Sequence, residues 1–516
     1  MADTKREIER KYEGPATENG TESLPDLSGV PGVAAVVDKG VAELDATYYD
    51  TPDQRLAAAS LTLRRRTGGA DAGWHLKLPV SEGVRDEIRA PLSDTVPRAL
   101  SGLVRSRVRD TELVPLVRLL SARDVRHLVD GSGALLAEVS LDRVRAERLD
   151  GGGGTAAWTE IEVELADDGD PAFLDKVEKK LRKAGLHRSA APSKLAKALA
   201  ETGKQSGKQS GKRSGKRAQE GGRAADPVTA GDHVLAHLRA QRDAIVELDP
   251  AVRRDVHDSV HSMRVATRRM RGTFGSYAKV LDPAVTGPIG EELKWLAGEL
   301  GVDRDREVLT ERLTQALAEL PRTLVGGPVR ARLRTWAHAR HGGSRRRLLA
   351  VLDGKRYLAL LAALDTLVTD PPLLGAAAGD PEKVIAKAVR RDFAKVSGLV
   401  GQALDGQPGT DRDLAMHEAR KKAKRARYSA EAAVPALDAP AARLAKAMKS
   451  LQGLLGDHQD SVMTREALRE LAALAHAAGE SSFTYGVLYG REEQRAAAVE
   501  AALPEAWRAT LEQASV

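Results

Sequence analysis

The chain has 516 residues, no cysteine, 80 Lys and Arg against 73 Asp and Glu, and only 3% aromatic side chains. One hydrophobic core rarely serves so long a chain, so two or three domains are expected. The absent cysteines exclude disulfides, thiol nucleophiles and zinc–thiolate centres, and the scarce aromatics disfavour a stacking platform for single-stranded nucleic acid. Residues 1–200 read as strand-rich. Residues 4–12 alternate and set Glu7, Glu9 and Lys11 on one strand face. Residues 61–66 pair Arg64 with Arg66, residues 74–78 pair His75 with Lys77, and Arg85, Glu87 and Arg89 alternate with Asp86, Ile88 and Ala90. Further strands are expected at 122–129, 135–144 and 158–165, the last with Glu160, Glu162 and Glu164 opposite Ile161, Val163 and Leu165. Residues 151–154 form a glycine hairpin loop, and helices are expected over 171–184 and from Ser193-Lys194 onward.

An antiparallel sheet with one wet side accounts for any single strand of this kind. It does not account for the sorting: carboxylates sit on the first and last strands, Arg and Lys on the middle ones. A sheet closed with its charged face inward would set an acidic wall beside a basic wall, which is costly unless ions of both signs fill the lumen. Carboxylates suit Mg²⁺ or Mn²⁺, and Arg and Lys suit phosphate oxygens. A metal-bound polyphosphate supplies both.

The run Glu7-Ile8-Glu9-Arg10-Lys11 resembles the ExExK signature of the CYTH domain, a triphosphate tunnel metalloenzyme. Tyr49-Asp50-Thr51, Arg64, Arg66, Lys77, Arg85 with Glu87, Glu138 with Asp142, the Glu160/Glu162/Glu164 strand and Ser193-Lys194 accompany it. The resemblance implies an eight-stranded barrel whose tunnel binds a triphosphate end-on. On this footing Glu7, Glu9, Lys11 and Glu87 are the candidate catalytic residues. Glu7, Glu9, Glu138, Asp142, Glu160 and Glu162 are the candidate ligands of Mg²⁺ or Mn²⁺. Arg64, Arg66, Lys77, Arg85, Arg123 and Lys194 would bind substrate, with Arg126 the alternative to Arg123. Positioning and charge neutralisation dominate phosphoryl transfer to water, so little more is needed.

Residues 201–226 read as a linker. Ser206-Gly207-Lys208-Gln209, Ser210-Gly211-Lys212-Arg213 and Ser214-Gly215-Lys216-Arg217 repeat one unit. Gly and Ser make it flexible and its charges extend it; a tether is the simpler role, an electrostatic arm on a polyanion the sharper one.

From 227 the pattern is helical, punctuated by Pro250, Pro283 to Pro288, Gly326-Gly327-Pro328, Pro371-Pro372 and Pro408-Gly409. His257, His261, Arg264, Arg268 and Arg271 follow one another at steps of 4, 3, 4 and 3, a single stripe on a helix. Val256, Val260, Met263, Thr267, Met270, Phe274 and Tyr277 form the buryable row beside it. A solvated helix usually mixes its signs, because like charges four apart repel; this stripe has one sign. It also recurs. His417, Arg420, Lys424, Arg425 and Arg427 repeat the spacing of His261, Arg264, Arg268, Arg269 and Arg271 at an offset of 156 (417 − 261). Residues 455–460 echo 300–305 at an offset of 155 (455 − 300), which matches Asp305 with Asp460. Two motifs at nearly one offset indicate an internal duplication, with both stripes facing one site.

Met263-Arg264-Val265-Ala266-Thr267-Arg268-Arg269 and Ala423-Lys424-Arg425-Ala426-Arg427-Tyr428 resemble the repeated motif of the CHAD family, an all-helical domain of two similar halves, over residues 227–510. The resemblance implies a basic surface for inorganic polyphosphate, built from His257, His261, Arg264, Arg268, Arg269 and Arg271 in one half and His417, Arg420, Lys421, Lys424, Arg425 and Arg427 in the other.

The expected class is therefore α+β: an antiparallel eight-stranded β-barrel over 1–200, a linker over 201–226, and an all-α bundle with internal duplication over 227–510. The expected activity is metal-dependent hydrolysis of inorganic triphosphate or short polyphosphate, tethered to a polyphosphate-binding domain. The alternatives are a non-catalytic polyphosphate scaffold and a triphosphatase acting on an organic triphosphate such as thiamine triphosphate. No apolar run reaches membrane-spanning length, and the N-terminus runs into Lys5, Arg6 and Glu7 with no apolar signal region. A cytoplasmic protein is expected, associated with polyphosphate granules and without membrane or specific nucleic-acid partners.

Overall fold

The structure is a computed structural model that describes residues 3–14, 23–151, 153–209, 227–301, 304–338 and 344–514. The chain divides into two compact units, Met1–Glu220 and Gly221–Val516.

The first unit is a closed antiparallel barrel of eight strands: β1 (Asp3–Glu13), β2 (Ala35–Asp50), β3 (Thr62–Thr67), β4 (Gly73–Ser81), β5 (Val84–Ala90), β6 (Val114–Val129), β7 (Leu135–Arg148) and β8 (Thr155–Leu165). The order is β5-β4-β3-β2-β6-β7-β8-β1. β1 closes the ring by pairing Asp3 to Ile8 with β5 and Glu9 to Tyr12 with β8. The two-residue β9 (His187–Arg188) extends the sheet beyond β1.

Charged residues occupy many of the inward positions, and two of the apolar cores lie outside the ring, between sheet and helices. Helices α1 (Arg55–Ala58) and α2 (Arg98–Val108) cover Leu63, Trp74, Leu76 and Ile88. Helix α3 (Ala172–Lys183) lays Phe173, Leu174, Val177 and Leu181 on Tyr12, Val139, Leu141, Ile161 and Val163. Helix α4 (Lys194–Gln209) packs instead on the inner face, laying Leu195 and Ala198 on Ala46, Tyr48, Leu119, Val144 and Ala146, in register with the charged residues of the lumen. It runs to Gln209, into the stretch expected to be linker; residues 210–226 lie outside the described residues.

Between β3 and β4 the chain turns through Gly68 (φ +79°), where a Cβ would lie 2.0 Å from the Glu43 carbonyl oxygen. Gly68→Ala combines a left-handed backbone with that clash. It should destabilise the barrel by about 1–3 kcal/mol, read as a lowered Tm of its unfolding transition.

The second unit is helical: α5 (Ala230–Arg253), α6 (Ser259–Ser276), α7 (Pro283–Glu299), α8 (Arg304–Ala318), α9 (Val329–His338), α10 (Ser344–Asp353), α11 (Lys355–Thr369), α12 (Pro381–Asp405), α13 (Thr410–Ala477) and α14 (Phe483–Gln513). α13 is two helices joined at a kink at Asp438 (φ 47°), between Pro435 and Pro440. Met263, Met270 and Phe274 of α6, with Tyr277 just past its end, share one core with Met416, Ala419, Ala423 and Ala426 of α13. The alanines let the two basic helices lie close together. A second core joins α8, α9, the end of α13 and the start of α14 through Leu313, Leu317, Leu333, Leu468, Leu471 and Leu488.

The duplication extends to packing. A Cβ on Gly301 would meet the Arg264 guanidinium at 2.6 Å, and one on Gly456 would lie 3.5 Å from that of Arg420. Each repeated Leu-Gly step thus leaves room for the matched arginine.

Two expectations need correction. Asp258 is left-handed (φ 61°) and α6 begins at Ser259, so His257 precedes the helix and the stripe starts at His261; Val256 is exposed, not buried. Pro250 lies inside α5, in its last turn, and not between helices. Among the described residues no helix is long and apolar enough to cross a membrane.

Candidate functional site

Strand alternation carries Glu7, Glu9 and Lys11 of β1, Arg64 and Arg66 of β3, Lys77 of β4, Arg85 and Glu87 of β5, Arg123 of β6, Glu138 of β7 and Glu162 of β8 to one lumen, with Lys194 from the start of α4. The cavity they line measures about 600 Å³. Opposite charges meet in it. Lys77 Nζ lies 2.6 Å from Glu7 and 3.8 Å from Glu87; Lys11 lies 3.3 Å from Glu9 and also pairs with Glu162. Arg123 grips Asp142 with two 2.7 Å hydrogen bonds and reaches Glu162 at 2.8 Å.

The carboxylate oxygens of Asp142, Glu160 and Glu162 lie within 4.8 Å of one another, close enough to share a cation. Here Lys194 Nζ is that cation, at 2.9, 2.7 and 2.6 Å. Asp142 and Glu160 are fully enclosed beside it. Arg126, the alternative to Arg123, turns instead to Asp38 and Asp124.

The lumen separates its carboxyls by environment. Burial raises the Glu7 pKa to about 7, with Lys77 opposing and Glu87 and Glu164 adding to the rise. Burial acts on Glu9 too, but Lys11 and Lys77 outweigh it and hold Glu9 down at about 2. Glu87 and Glu162 also fall, burial being overcome at Glu87 by His75, Lys77 and Arg64 and at Glu162 by Lys11, Lys194 and Arg123. Burial, then the like charges of Arg64 and Arg123, lower Arg66 to about 9. The Nε atoms of Arg64 and Arg66 are buried and meet no acceptor among the described residues.

Several lining residues lie outside the expected site set. Arg89 and Glu164 share the strand faces of Glu87 and Glu162 that the sequence shows, and Lys5 extends the row of Glu7. Tyr48, whose hydroxyl accepts from Arg64 at 3.4 Å, belongs to β2, a strand the pattern did not reveal. Asp71 belongs to a loop and contacts Arg66. Asp50 is structural: its carboxylate accepts from the backbone N–H of Thr51, Leu56 and Ala57 at 2.7, 2.9 and 2.9 Å.

In the helical unit, Arg264 and Arg268 of α6 and Arg420 and Arg427 of α13 surround Lys424. Burial, then Arg420, Arg268, Arg264 and Arg427, push its pKa down to about 8. Arg264 and Arg268 thus lie within electrostatic range of Lys424. Arg427 sits 4.8 Å over the Tyr428 ring, and Arg269 and Arg427 share Glu431 at 3.0 and 3.3 Å.

Other members of the expected set point elsewhere. His257 and His261 line a separate cleft with Glu299 and Arg345. His417 contacts Gln459. Lys421 pairs with Glu418 at 2.7 Å, and Arg425 turns to Ser276 (3.3 Å) and Asp392 (3.5 Å). Arg271 is lowered by burial, with Glu291 as its opposing neighbour.

Comparison with known proteins bears on both units. A CYTH domain model matches residues 5–199 and a CHAD domain model matches 236–469. An uncharacterized protein of Mycobacterium tuberculosis is 37% identical over 501 residues, covering 94% of this chain and 92% of that protein. The thiamine-triphosphatases of Macaca fascicularis and Homo sapiens are 42% identical over 85 residues, 16% of this chain and 31% of each enzyme. Among solved structures, PptA from Streptomyces chartreusis is 22% identical with a TM-score of 0.46, covering 55% of this chain and 99% of that one.

Proposed function

The chain belongs to the proteins that join a CYTH domain to a CHAD domain, and on that premise we propose that its barrel hydrolyses inorganic triphosphate or a short polyphosphate with Mg²⁺ or Mn²⁺, while its helical unit binds inorganic polyphosphate. The observation that carries the reading is the lumen, where Arg64, Arg66 and Arg123 stand beside Glu7, Glu9 and Glu162 in one cavity. That arrangement suits a ligand that is itself an anion with a bound cation.

The donor set fits a hard divalent ion, because the carboxylates facing the lumen offer oxygen and no thiolate. Glu7, Glu9, Glu138 and Glu162 would hold it. When bound, such an ion neutralises charge on the phosphates and polarises the bond to be cleaved. Asp142 and Glu160 hold Lys194 at the lumen wall. Arg64, Arg66, Lys77, Arg85, Arg123, Lys11 and Lys194 orient the chain, and Glu87 fixes the cations around it: Lys77 at 3.8 Å and Arg64 at 3.5 Å.

A second reading, thiamine triphosphate as substrate, is favoured by the 85-residue match to the thiamine-triphosphatases. Against it, Tyr48 is the one phenyl-type ring among the described residues lining the lumen, and an organic head group normally asks for apolar or aromatic walls. Phosphate release from tripolyphosphate and from thiamine triphosphate, each with Mg²⁺ and with Mn²⁺, decides between them. Release from neither leaves the non-catalytic scaffold. Arg66→Ala should raise KM for triphosphate by about tenfold or more, since it removes a contact made in the ground state as well as the transition state; unchanged steady-state kinetics would remove Arg66 from the phosphate path. The same reading puts the protein in the cytoplasm at polyphosphate granules, which fluorescence microscopy of a tagged chain against a polyphosphate stain would test.

A further inference from the structure

Arg66 is 4% exposed and fixed in the barrel wall, yet its guanidinium already has a carboxylate on it: that of Asp71. Asp71 is not part of the strand pattern. It comes from the turn between β3 and β4, where Gly68 and Gly69 are left-handed (φ +79° and +69°) and Gly73 also has positive φ. These glycines let the loop fold back so that Gly69, Ala70 and Asp71 line the lumen. The loop is tied down by its backbone: His75 Nε2 lies 2.9 Å from the Asp71 carbonyl oxygen, while its Nδ1 lies 2.9 Å from Glu87. The side chain of Asp71 is 32% exposed and has only its own rotamer to change. A buried cation on a strand thus faces a part-exposed anion on a loop.

Resting on the phosphohydrolase reading, we propose that Asp71 is an internal counter-ion for Arg66, displaced by a phosphate of the incoming chain and returning to expel the product. A tethered group competes as an intramolecular ligand, at an effective concentration in the millimolar range or above. A triphosphate that also engages Arg64, Arg123 and Lys77 has binding energy enough to displace it. A single orthophosphate, with fewer contacts, does not. Asp71 thereby selects chains over orthophosphate and shortens the residence of the product on three adjacent guanidiniums.

The test compares wild type with Asp71→Asn and Asp71→Glu in the full chain, measuring triphosphate kinetics and inhibition by added orthophosphate. Asp71→Asn should lower the orthophosphate inhibition constant by about tenfold, set by loss of the tethered competitor. It should lower KM and kcat together, because substrate no longer displaces a carboxylate and product leaves more slowly. Asp71→Glu, which keeps the charge, should behave as wild type. A raised KM in Asp71→Asn would show that Asp71 merely positions Arg66 and would overturn the inference, as would orthophosphate inhibition within twofold of wild type. If wild type turns over no phosphoanhydride, the hydrolase reading fails by itself. Calorimetric titration with orthophosphate and tripolyphosphate then still decides: tighter binding of both by Asp71→Asn upholds the counter-ion, and unchanged binding removes it.

Discussion

Glu9→Gln should lower turnover of triphosphate by about a hundredfold or more while the protein stays folded. Glu9 is 8% exposed and, held down at about 2 by Lys11 and Lys77 against its burial, carries a full negative charge at any working pH. Glutamine keeps its size and one acceptor oxygen but not the charge that a hard cation requires. The loss should be specific to function, because Lys11 retains Glu162 and Lys77 retains Glu7 as partners. The measurement is kcat across a titration of Mg²⁺ and of Mn²⁺, with thermal melting as the control for folding. Activity near that of wild type at saturating metal would sink the metal assignment. Loss of melting cooperativity would instead make Glu9 a structural counter-ion of Lys11.

The lumen was legible in the sequence to the extent that charge alternates with period two. Strands β1 and β5 carry a charge at each inner position from Lys5 to Lys11 and from Arg85 to Arg89, and Arg64, Arg66, Lys77 and Glu87 arrive where the period-two pattern puts them. β2 was not legible for a physical reason. Its first half is exposed or half-exposed throughout, and the inner face of its second half is Leu44, Ala46 and Tyr48, which carries no charge. Its partner β6 begins at Val114 and not at 122, because Leu116, Val117 and Leu119 are buried in a near-continuous apolar run without polar alternation. Asp71 could not be placed at all: its role depends on the left-handed glycines that fold the loop back. In the helical unit the repeat identified matched positions, but repetition does not tell which face a side chain takes. Arg269 and Arg425 match one another in sequence, yet each is one residue past the stripe and so about 100° around the helix. Arg269 goes to Glu431, and Arg425 to Asp392 and Ser276.

Arg264→Glu and Lys424→Glu should each weaken binding of long-chain polyphosphate by about tenfold or more at low salt, although they stand 160 residues apart (424 − 264). The basis is Lys424, which burial, then Arg420, Arg268, Arg264 and Arg427, depress to about 8, so that charges of both helices bear on one residue. A half-buried lysine with arginines of both helices around it is a poor solvated face and a good seat for a polyanion. Each contact releases counterions, so wild-type affinity should fall steeply with salt, and each reversal should flatten that dependence. Lys424 also fixes a pH dependence. Its free-state pKa is lowered chiefly by burial and then by its neighbours' charge; a bound polyanion favours the charged form and raises it. Binding near pH 8 therefore takes up a proton. Affinity should be flat below that value and decline above it, whereas Lys424→Arg, which does not titrate in this range, should hold its affinity to about pH 9. Filter-binding titrations of the full chain at two salt concentrations and across pH measure all of this, with single-stranded DNA of matched length as competitor. Unchanged affinity in either reversal would mean that the stripes do not share a site. DNA binding as tightly as polyphosphate would remove the polyphosphate assignment, since a chain with 3% aromatic residues has little surface on which to read bases.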